Sequence, residues 1–329
     1  MTALVTGATG FIGSAVARQL LARGEAVRVL ARAGGDRRNL VGLDVEIIEG
    51  DLRDEAARRA AVRGIDSLYH VAADYRLWVP DPADMFAVNV ESTTALMRLA
   101  ADAGARRLVY TSSVATLGIP ADGSHATEET PAGLADMMGA YKQSKYLAED
   151  SVRRLVRDEK LPIVIVNPTA PVGPRDVKPT PTGRTIVEAA AGRMPAFVDT
   201  GLNLVHVDDV AQGHLLAHDK GTLGERYILG GENLTLQQIL QRVAALTGGR
   251  APTIKLPHGA ILPIAYAVEF AARLFRRGEP FITVDGIKLA RKRMFFSHDK
   301  AARDLGYAAR PVDEALVDAI AWFKQSGAL

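Results

Sequence analysis

The stretch that most limits what this chain can fold into is Thr6-Gly7-Ala8-Thr9-Gly10-Phe11-Ile12-Gly13, which follows the apolar run Ala3-Leu4-Val5. Three glycines at such a junction let a strand turn tightly into a helix and let the backbone come close to a ligand. Unpaired amides at the start of the helix favour an anion there. The spacing is G-x-x-G-x-x-G instead of the more usual G-x-G-x-x-G. Its place between a strand and a helix is what makes it read as the pyrophosphate end of a dinucleotide site. Gly7, Thr9, Gly10, Phe11, Ile12 and Gly13 would line that site.

From residue 2 to 167, short runs rich in Val, Ile and Leu alternate with amphipathic stretches. That alternation predicts strands over 2–6, 26–31, 45–49, 67–71, 107–111 and 163–167, and helices over 11–22, 55–62, 84–103 and 141–158. Strands this apolar are buried on both faces, which calls for a parallel sheet covered by helices. Right-handed crossovers then lead to an α/β doubly wound parallel sheet of the Rossmann type, with ligands at the carboxyl ends of its strands.

The rhythm breaks at Pro168-Thr169-Ala170-Pro171, and prolines recur at 174, 179 and 181. Residues 1–168 are therefore expected to form the dinucleotide-binding domain. Residues 169–329 should form a smaller mixed substrate-binding region, with room for segments to return to the first. Thr235 and Gln238 make a capping-box pattern, and a last helix should begin after Pro311 with Asp313 and Glu314 in its first turn. The region reads as too irregular for an independent fold and is expected to cover the sheet as a substrate lid.

With 40 basic and 38 acidic residues, the net charge of +2 offers no global field for nucleic acid. The absence of cysteine excludes disulfide and thiol chemistry and suits a reducing cytoplasm, the expected location. No basic leader precedes Gly7. The apolar run from Gly259 to Val268 is far shorter than the roughly 20 residues of a membrane-spanning helix.

An acidic residue closing the second strand would accept from the adenosine ribose and mark NAD. Here Val27-Arg28-Val29-Leu30-Ala31 ends in Arg32, with Arg37 and Arg38 close behind. Guanidinium groups suit the 2′-phosphate of NADP, so NADP is the expected cofactor, with NAD the alternative. Asp51, followed by Leu52, ends the third strand. Its carboxylate could accept from the adenine amino group, or Gly50-Asp51 could simply be a turn.

Tyr141 and Lys145, within Tyr141-Lys142-Gln143-Ser144-Lys145, are four apart in a helical stretch and so share a face. A phenol placed there could pass a proton to or from an oxygen that gains or loses hydride. Lowering its pKa by three units takes roughly 4 kcal/mol. An ammonium about 6 Å away at an effective dielectric of about 20 supplies on the order of 2.8 kcal/mol. The charge of an oxidised nicotinamide could supply the remainder. Ser112 and Ser113 close the fifth strand, and the expected donor to the substrate oxygen is Ser113. Adjacent strand residues face opposite ways, so either serine could be the one turned inward.

Together these residues resemble the extended short-chain dehydrogenase/reductase family over nearly the whole chain. The resemblance implies that Gly7, Gly10 and Gly13 bind pyrophosphate and that Asp51 meets the adenine. Ser113, Tyr141 and Lys145 would catalyse, with Lys145 also holding the nicotinamide ribose. His70-Val71-Ala72-Ala73 resembles the family's strand-end loop beside the cofactor, through Ala72 and Ala73. Asn167-Pro168-Thr169 with Val172-Gly173-Pro174 resembles its nicotinamide-side segment and is closer to dihydroflavonol reductase-like enzymes than to nucleotide-sugar epimerases. Ala73-Asp74-Tyr75-Arg76-Leu77-Trp78 and Arg293-Met294-Phe295-Phe296 resemble bacterial hopanoid-associated sugar epimerases. Val114-Ala115-Thr116 stands where the family's dehydratases carry acids. The implied activity is NADPH-preferring exchange between a ketone and a secondary alcohol in a homodimer built from the helices over 84–103 and 141–158. A sugar epimerase is the alternative, and a non-catalytic NADP-binding regulator is the reading from another class.

Other signals point to structure. His214 and His218 are one turn apart but lack a third ligand, so no metal is expected. Asp208-Asp209 suits a helix start. Tyr75, Trp78, Met137, Met138 and His206 are candidates for a substrate pocket. Residues 270–310 carry ten Lys and Arg against four Asp and Glu, which read as a solvated face or as a peripheral contact with an anionic membrane.

Overall fold

The structure, a computed structural model, describes residues 1–76, Val79, 81–274 and 284–329. Its centre is a sheet of seven parallel strands: β1 (Thr2–Thr6), β2 (Ala26–Ala31), β3 (Val45–Glu49), β4 (Ser67–His70), β5 (Arg107–Thr111), β6 (Ile163–Pro168) and β10 (Arg226–Leu229). The spatial order is β10-β6-β5-β4-β1-β2-β3, so the winding reverses between β1 and β4. That reversal opens the crevice in which doubly wound sheets take their ligands.

Alternation along the strands explains the two helical layers. On β6, Val164 and Val166 join Val5, Val29 and Tyr227 in one core, while Ile163 and Ile165 join Leu4, Leu68, Leu108 and Tyr110 in the other. The first face is covered by α1 (Phe11–Ala22), whose Val16 and Leu20 are fully buried, by α7 (Val207–Lys220) and by α11 (Asp299–Leu305). The second is covered by α2 (Glu55–Ala61), α4 (Thr93–Asp102) and α5 (Gly139–Glu159).

The helix expected over 84–103 is not continuous. It consists of α3 (Ala83–Phe86), a wide turn of π type over Ala87–Ser92, and α4. Side chains occupy carbonyls in the wide part: the Ser92 hydroxyl donates to the Ala87 carbonyl and that of Thr94 to Val90, both at 2.8 Å. Such turns widen a helix locally and re-aim one side chain, here Asn89.

The second half is more regular than its prolines suggest. β9 (Gly201–His206) pairs parallel with β7 (Ala170–Val172) and β13 (Arg293–Met294), and antiparallel with β11 (Glu232–Thr235). β8 (Ala196–Val198) pairs with β12 (Ile254–Leu256). Helices α6 (Pro181–Ala190), α8 (Leu236–Thr247) and α12 (Val312–Gln325) close a core around Ile186, Leu204, Leu234, Ile239, Leu316 and Phe323. The Thr235/Gln238 capping box forms, and α12 starts after Pro311 with both acids in its first turn. β10, α7 and α11 return from this half to the seven-stranded sheet and its layer. Among the described residues, the remaining α-helices are α9 (His258–Leu274) and α10 (Val284–Leu289). Among the described residues, no helix is long and apolar enough to cross a membrane.

Two histidines are locked into the interior. His70 sits between the Thr6 hydroxyl at 2.7 Å and that of Thr93 at 2.8 Å, and His214 between Thr111 and the Val210 carbonyl. Burial brings their pKa values down to about 3 and about 4. Well above pH 6.5 both are neutral whether the chain is folded or not. As pH falls below that, the unfolded chain takes up protons that the fold refuses, so stability is lost toward the folded values. Between pH 6.5 and 4, His70 should account for about 3 kcal/mol of that loss. Urea denaturation of the wild type and His70→Asn across this range checks it: the variant should lose stability less steeply, and equal slopes would refute the assignment.

Candidate active site

The turn after β1 meets the requirements of a pyrophosphate cradle. Gly7 is left-handed at φ +73°, and a Cβ on it would lie 2.7 Å from the Ala72 amide. A Cβ on Gly13 would lie 2.2 Å from the Gly7 carbonyl oxygen. α1 begins at Gly10 with no side-chain cap and no acid in its first turn, so its leading amides stay available to an anion. Asn39 braces the turn by donating to the Thr9 and Arg175 carbonyls, both at 3.2 Å. Phe11 and Ile12 pack against the core behind it, and the Ala72 amide donates to the Thr6 hydroxyl. These residues suit a dinucleotide.

Farther along this edge, the three expected arginines differ. Arg37 is held by Glu49, and Arg38 pairs with Asp36 at 2.6 Å. Arg32 is exposed; the Asp51 carboxyl is held below the usual range mainly by hydrogen bonds from Arg53, and that of Asp74, against its burial, by those from Arg76, with the Arg32 charge the smallest contribution to both. Of the three, Arg32 is the one that forms no close ion pair among the described residues. Asp51 is ion-paired with Arg53 at 3.0 Å, and Arg53 also reaches Asp84 at 2.9 Å. Leu52 is half-buried next to Asp51, its carbonyl accepting from Arg58.

Ser113 and the α5 residues Tyr141 and Lys145 meet at the carboxyl end of β5, two strands from β1, a span of about 10 Å at the usual spacing. The two serines point in different directions. Ser112 is buried and donates to Glu149, whereas the Ser113 hydroxyl accepts from the Ala115 amide at 3.1 Å and lies near enough to the Tyr141 phenol to act on its pKa. Lys145 is buried, donates to the Thr111 carbonyl at 2.8 Å and sits 5.2 Å from the centre of the Tyr110 ring. Burial brings its ammonium down to about 8, with Glu149 opposing.

The phenol itself departs from expectation. Burial raises the Tyr141 pKa above its ordinary value, and the Ser113 hydrogen bond offsets only part of this. Desolvation falls on the charged phenolate, so the protein alone keeps Tyr141 protonated, as a proton donor. Pro168, expected beside the nicotinamide, is buried at the end of β6, where its pairing with Leu229 continues the strand.

Sequence reading passed over two side chains that organise this centre. Asn89, aimed by the π turn, donates to the Asp74 carbonyl at 2.8 Å and to Ser144 at 2.9 Å, between Tyr141 and Lys145. Glu149 extends the Tyr141/Lys145 spacing by one more turn, a signal that was available in the i, i+4, i+8 pattern.

The pocket candidates disperse. His206 is buried, its Nδ1 accepting from the Asp208 amide at 3.0 Å to cap α7 while Nε2 meets Asp318. Met137 is buried, Met138 half-buried just before α5, and Tyr75 exposed. Trp78 and Leu77 lie outside the described residues. His218 turns away from His214 to Asp219 and the Tyr69 ring, and no metal-holding group of three appears among the described residues. Asp208 and Asp209 start α7 as expected and pair with Arg175 and Arg310. Within the basic stretch, Arg293, Lys300, Arg303 and Arg310 are ion-paired, and residues 275–283 lie outside the described part.

Residues 3–230 match the model of the NAD dependent epimerase/dehydratase family. A protein of Synechocystis sp., by name a dihydroflavonol 4-reductase, is 42% identical, the alignment covering 98% of this chain and 94% of that one. Sterol demethylase protein B of Methylococcus capsulatus is 40% identical, with 99% of each covered. The crystal structure of gox2253 superimposes with a TM-score of 0.89 at 52% identity, covering 99% of this chain and 98% of that one.

Proposed function

The chain belongs to the NAD dependent epimerase/dehydratase family, and from that premise we propose that it is an NADPH-preferring reductase converting a ketone into a secondary alcohol. The observation that carries the proposal is the convergence of Ser113, Tyr141 and Lys145 at the end of β5, on the same sheet edge as the glycine cradle. Both close relatives are named for fused-ring molecules, a dihydroflavonol and a sterol, which supports a cyclic ketone as substrate. Residues 169–329 would shape its pocket.

Gly7, Gly10, Gly13 and the leading amides of α1 would hold the pyrophosphate, Asp51 and Leu52 the adenine, Arg32 the 2′-phosphate, and Ala72, Ala73 and Pro168 the approach to the nicotinamide. A dinucleotide held there would supply the hydride for the carbonyl carbon. Ser113 donates to the carbonyl oxygen as negative charge develops on it. Tyr141 gives that oxygen its proton, completing the alcohol. Its raised pKa suits this direction, since the donor must enter the reaction protonated. Lys145, one turn along the same face of α5, would bring positive charge toward the emerging phenolate and has donors left for the ribose. Val114-Ala115-Thr116 after Ser113 offers no acid for eliminating water.

A panel of cyclic ketones and sugar nucleotides, followed by NADPH consumption and by product isomerisation, tests the proposal. At least one cyclic ketone should be reduced with net oxidation of NADPH. Nicotinamide that stays bound through purification and turns over without net consumption would instead mark an epimerase. In the same assay, Arg32→Ala should lower kcat/KM for NADPH about 10-fold while leaving NADH unchanged, because one charge-assisted contact is lost. An unchanged ratio would remove Arg32 from the 2′-phosphate.

A further inference from the structure

Glu149 lies one helical turn beyond Lys145, as Lys145 lies one turn beyond Tyr141, so the three share a face of α5. Its carboxylate is buried, where an unpaired charge would be costly. Compensation comes from donors on neighbouring elements. Oε2 accepts from the Ser112 hydroxyl at the end of β5, from that of Thr116 at 2.8 Å in the following turn, and from the Asn167 amide at 2.9 Å on β6. Oε1 accepts from Arg226 at 3.0 Å on β10. Ser112 and Thr116 bracket Ser113, and Asn167 also donates to the Ser113 carbonyl at 3.0 Å. Arg226 is fixed in turn by the Glu128 carbonyl, and the Glu128 carboxylate accepts from the Ile228 amide at 2.7 Å.

An apolar side chain of similar size could close this space without the desolvation cost. What it could not do is define a single register between α5 and the ends of three strands. We propose that Glu149 is a positioning residue, setting Ser113, Tyr141 and Lys145 in one frame and placing a fixed negative charge behind the Lys145 ammonium. The proposal rests on the reading of those three residues as catalytic.

The groups around Lys145 define what a pH profile reports. β5 presents the Thr111 carbonyl and the Tyr110 ring, β4 presents His70, neutral across the working range, and α5 presents Glu149, with Tyr141 one turn back on the same face. Arg226 from β10 partly offsets Glu149. Glu149 opposes the burial that lowers the ammonium, so removing its charge lets Lys145 lose its proton at lower pH.

Glu149→Gln should lower kcat for reduction about 10-fold or more, as expected when reacting groups are misplaced. It should also move the alkaline limb of kcat/KM to lower pH by about half a unit or more, with the Kd for NADPH unchanged. Glu149→Asp keeps the charge but is one methylene short, so the limb should return toward wild type while the rate does not. Unchanged rate and limb in Glu149→Gln would overturn the proposal, as would a loss of rate with the limb unmoved. If Glu149→Gln fails to fold, Glu149→Asp decides, and a wild-type rate in it overturns the proposal equally. Tyr141→Phe run alongside separates the two levels. Full activity there defeats the functional reading itself, whereas an inactive Tyr141→Phe beside an unaffected Glu149→Gln defeats only the role of Glu149.

Discussion

Tyr141→Phe is expected to lower kcat for ketone reduction about a thousandfold while the Kd for NADPH stays within about threefold. General acids contribute typically 10²–10⁴-fold, and this substitution removes the acid while keeping the ring that fills the site. Ser113 still donates to the substrate oxygen and the hydride source is untouched, so a residual rate with water as proton source remains. Removing the hydroxyl that interacts with Ser113 should cost at most about 1 kcal/mol of stability, too little to unfold the protein. Steady-state rates, a fluorescence titration with NADPH and a thermal melt together check the prediction. Turnover near the wild-type value would mean that the proton comes from elsewhere.

Gly13→Ala is expected to weaken NADPH binding about a hundredfold, the equivalent of about 2.7 kcal/mol. The new Cβ would stand 2.2 Å from the Gly7 carbonyl oxygen and 2.9 Å from the Ala8 amide nitrogen, closer than atoms can approach. α1 must withdraw from the turn, and the amides aimed at the pyrophosphate withdraw with it. Gly24→Ala is the control. Gly24 is also left-handed, at φ +76°, but a Cβ there meets nothing within 4 Å, so that variant should lose stability by about 1 kcal/mol without losing affinity. Titration of both variants decides. Wild-type affinity in Gly13→Ala would show that the cradle is not where the dinucleotide sits.

Much of the first half was legible because its signals are local. The strands over 2–6, 26–31 and 107–111 fall where their apolar runs lie, since a strand buried on both faces tolerates little else; the strand over 45–49 is also found, but as the partly exposed edge of the sheet, not buried on both faces as expected. Tyr141 and Lys145 share a face because a four-residue spacing fixes that in any helix. The second half was harder to read. Its strands are short, and β9 collects partners from residues 170, 232 and 293 onward, so no single window holds a period long enough to recognise. The π turn escaped notice for a related reason: its pattern of apolar residues is that of an ordinary helix, and the hydroxyls that widen it become visible only when their carbonyl partners are placed.

The amino-acid order alone determined the strands and helices of the first half, the glycine turn on β1, the helical pairing of Tyr141 with Lys145 and the capping of α8, all of which depend on residues a few positions apart. Tertiary structure decided which charges find partners. Glu49 takes Arg37 and leaves Arg32 open, Asp318 takes His206 out of the pocket, and Glu149 gathers Ser112, Thr116, Asn167 and Arg226 so that Ser113 is the serine turned toward Tyr141. Spacing along the chain sets periodicity and backbone conformation. The partner of a buried polar group is set by which distant segments packing brings within about 3 Å of it, and local sequence carries no measure of that.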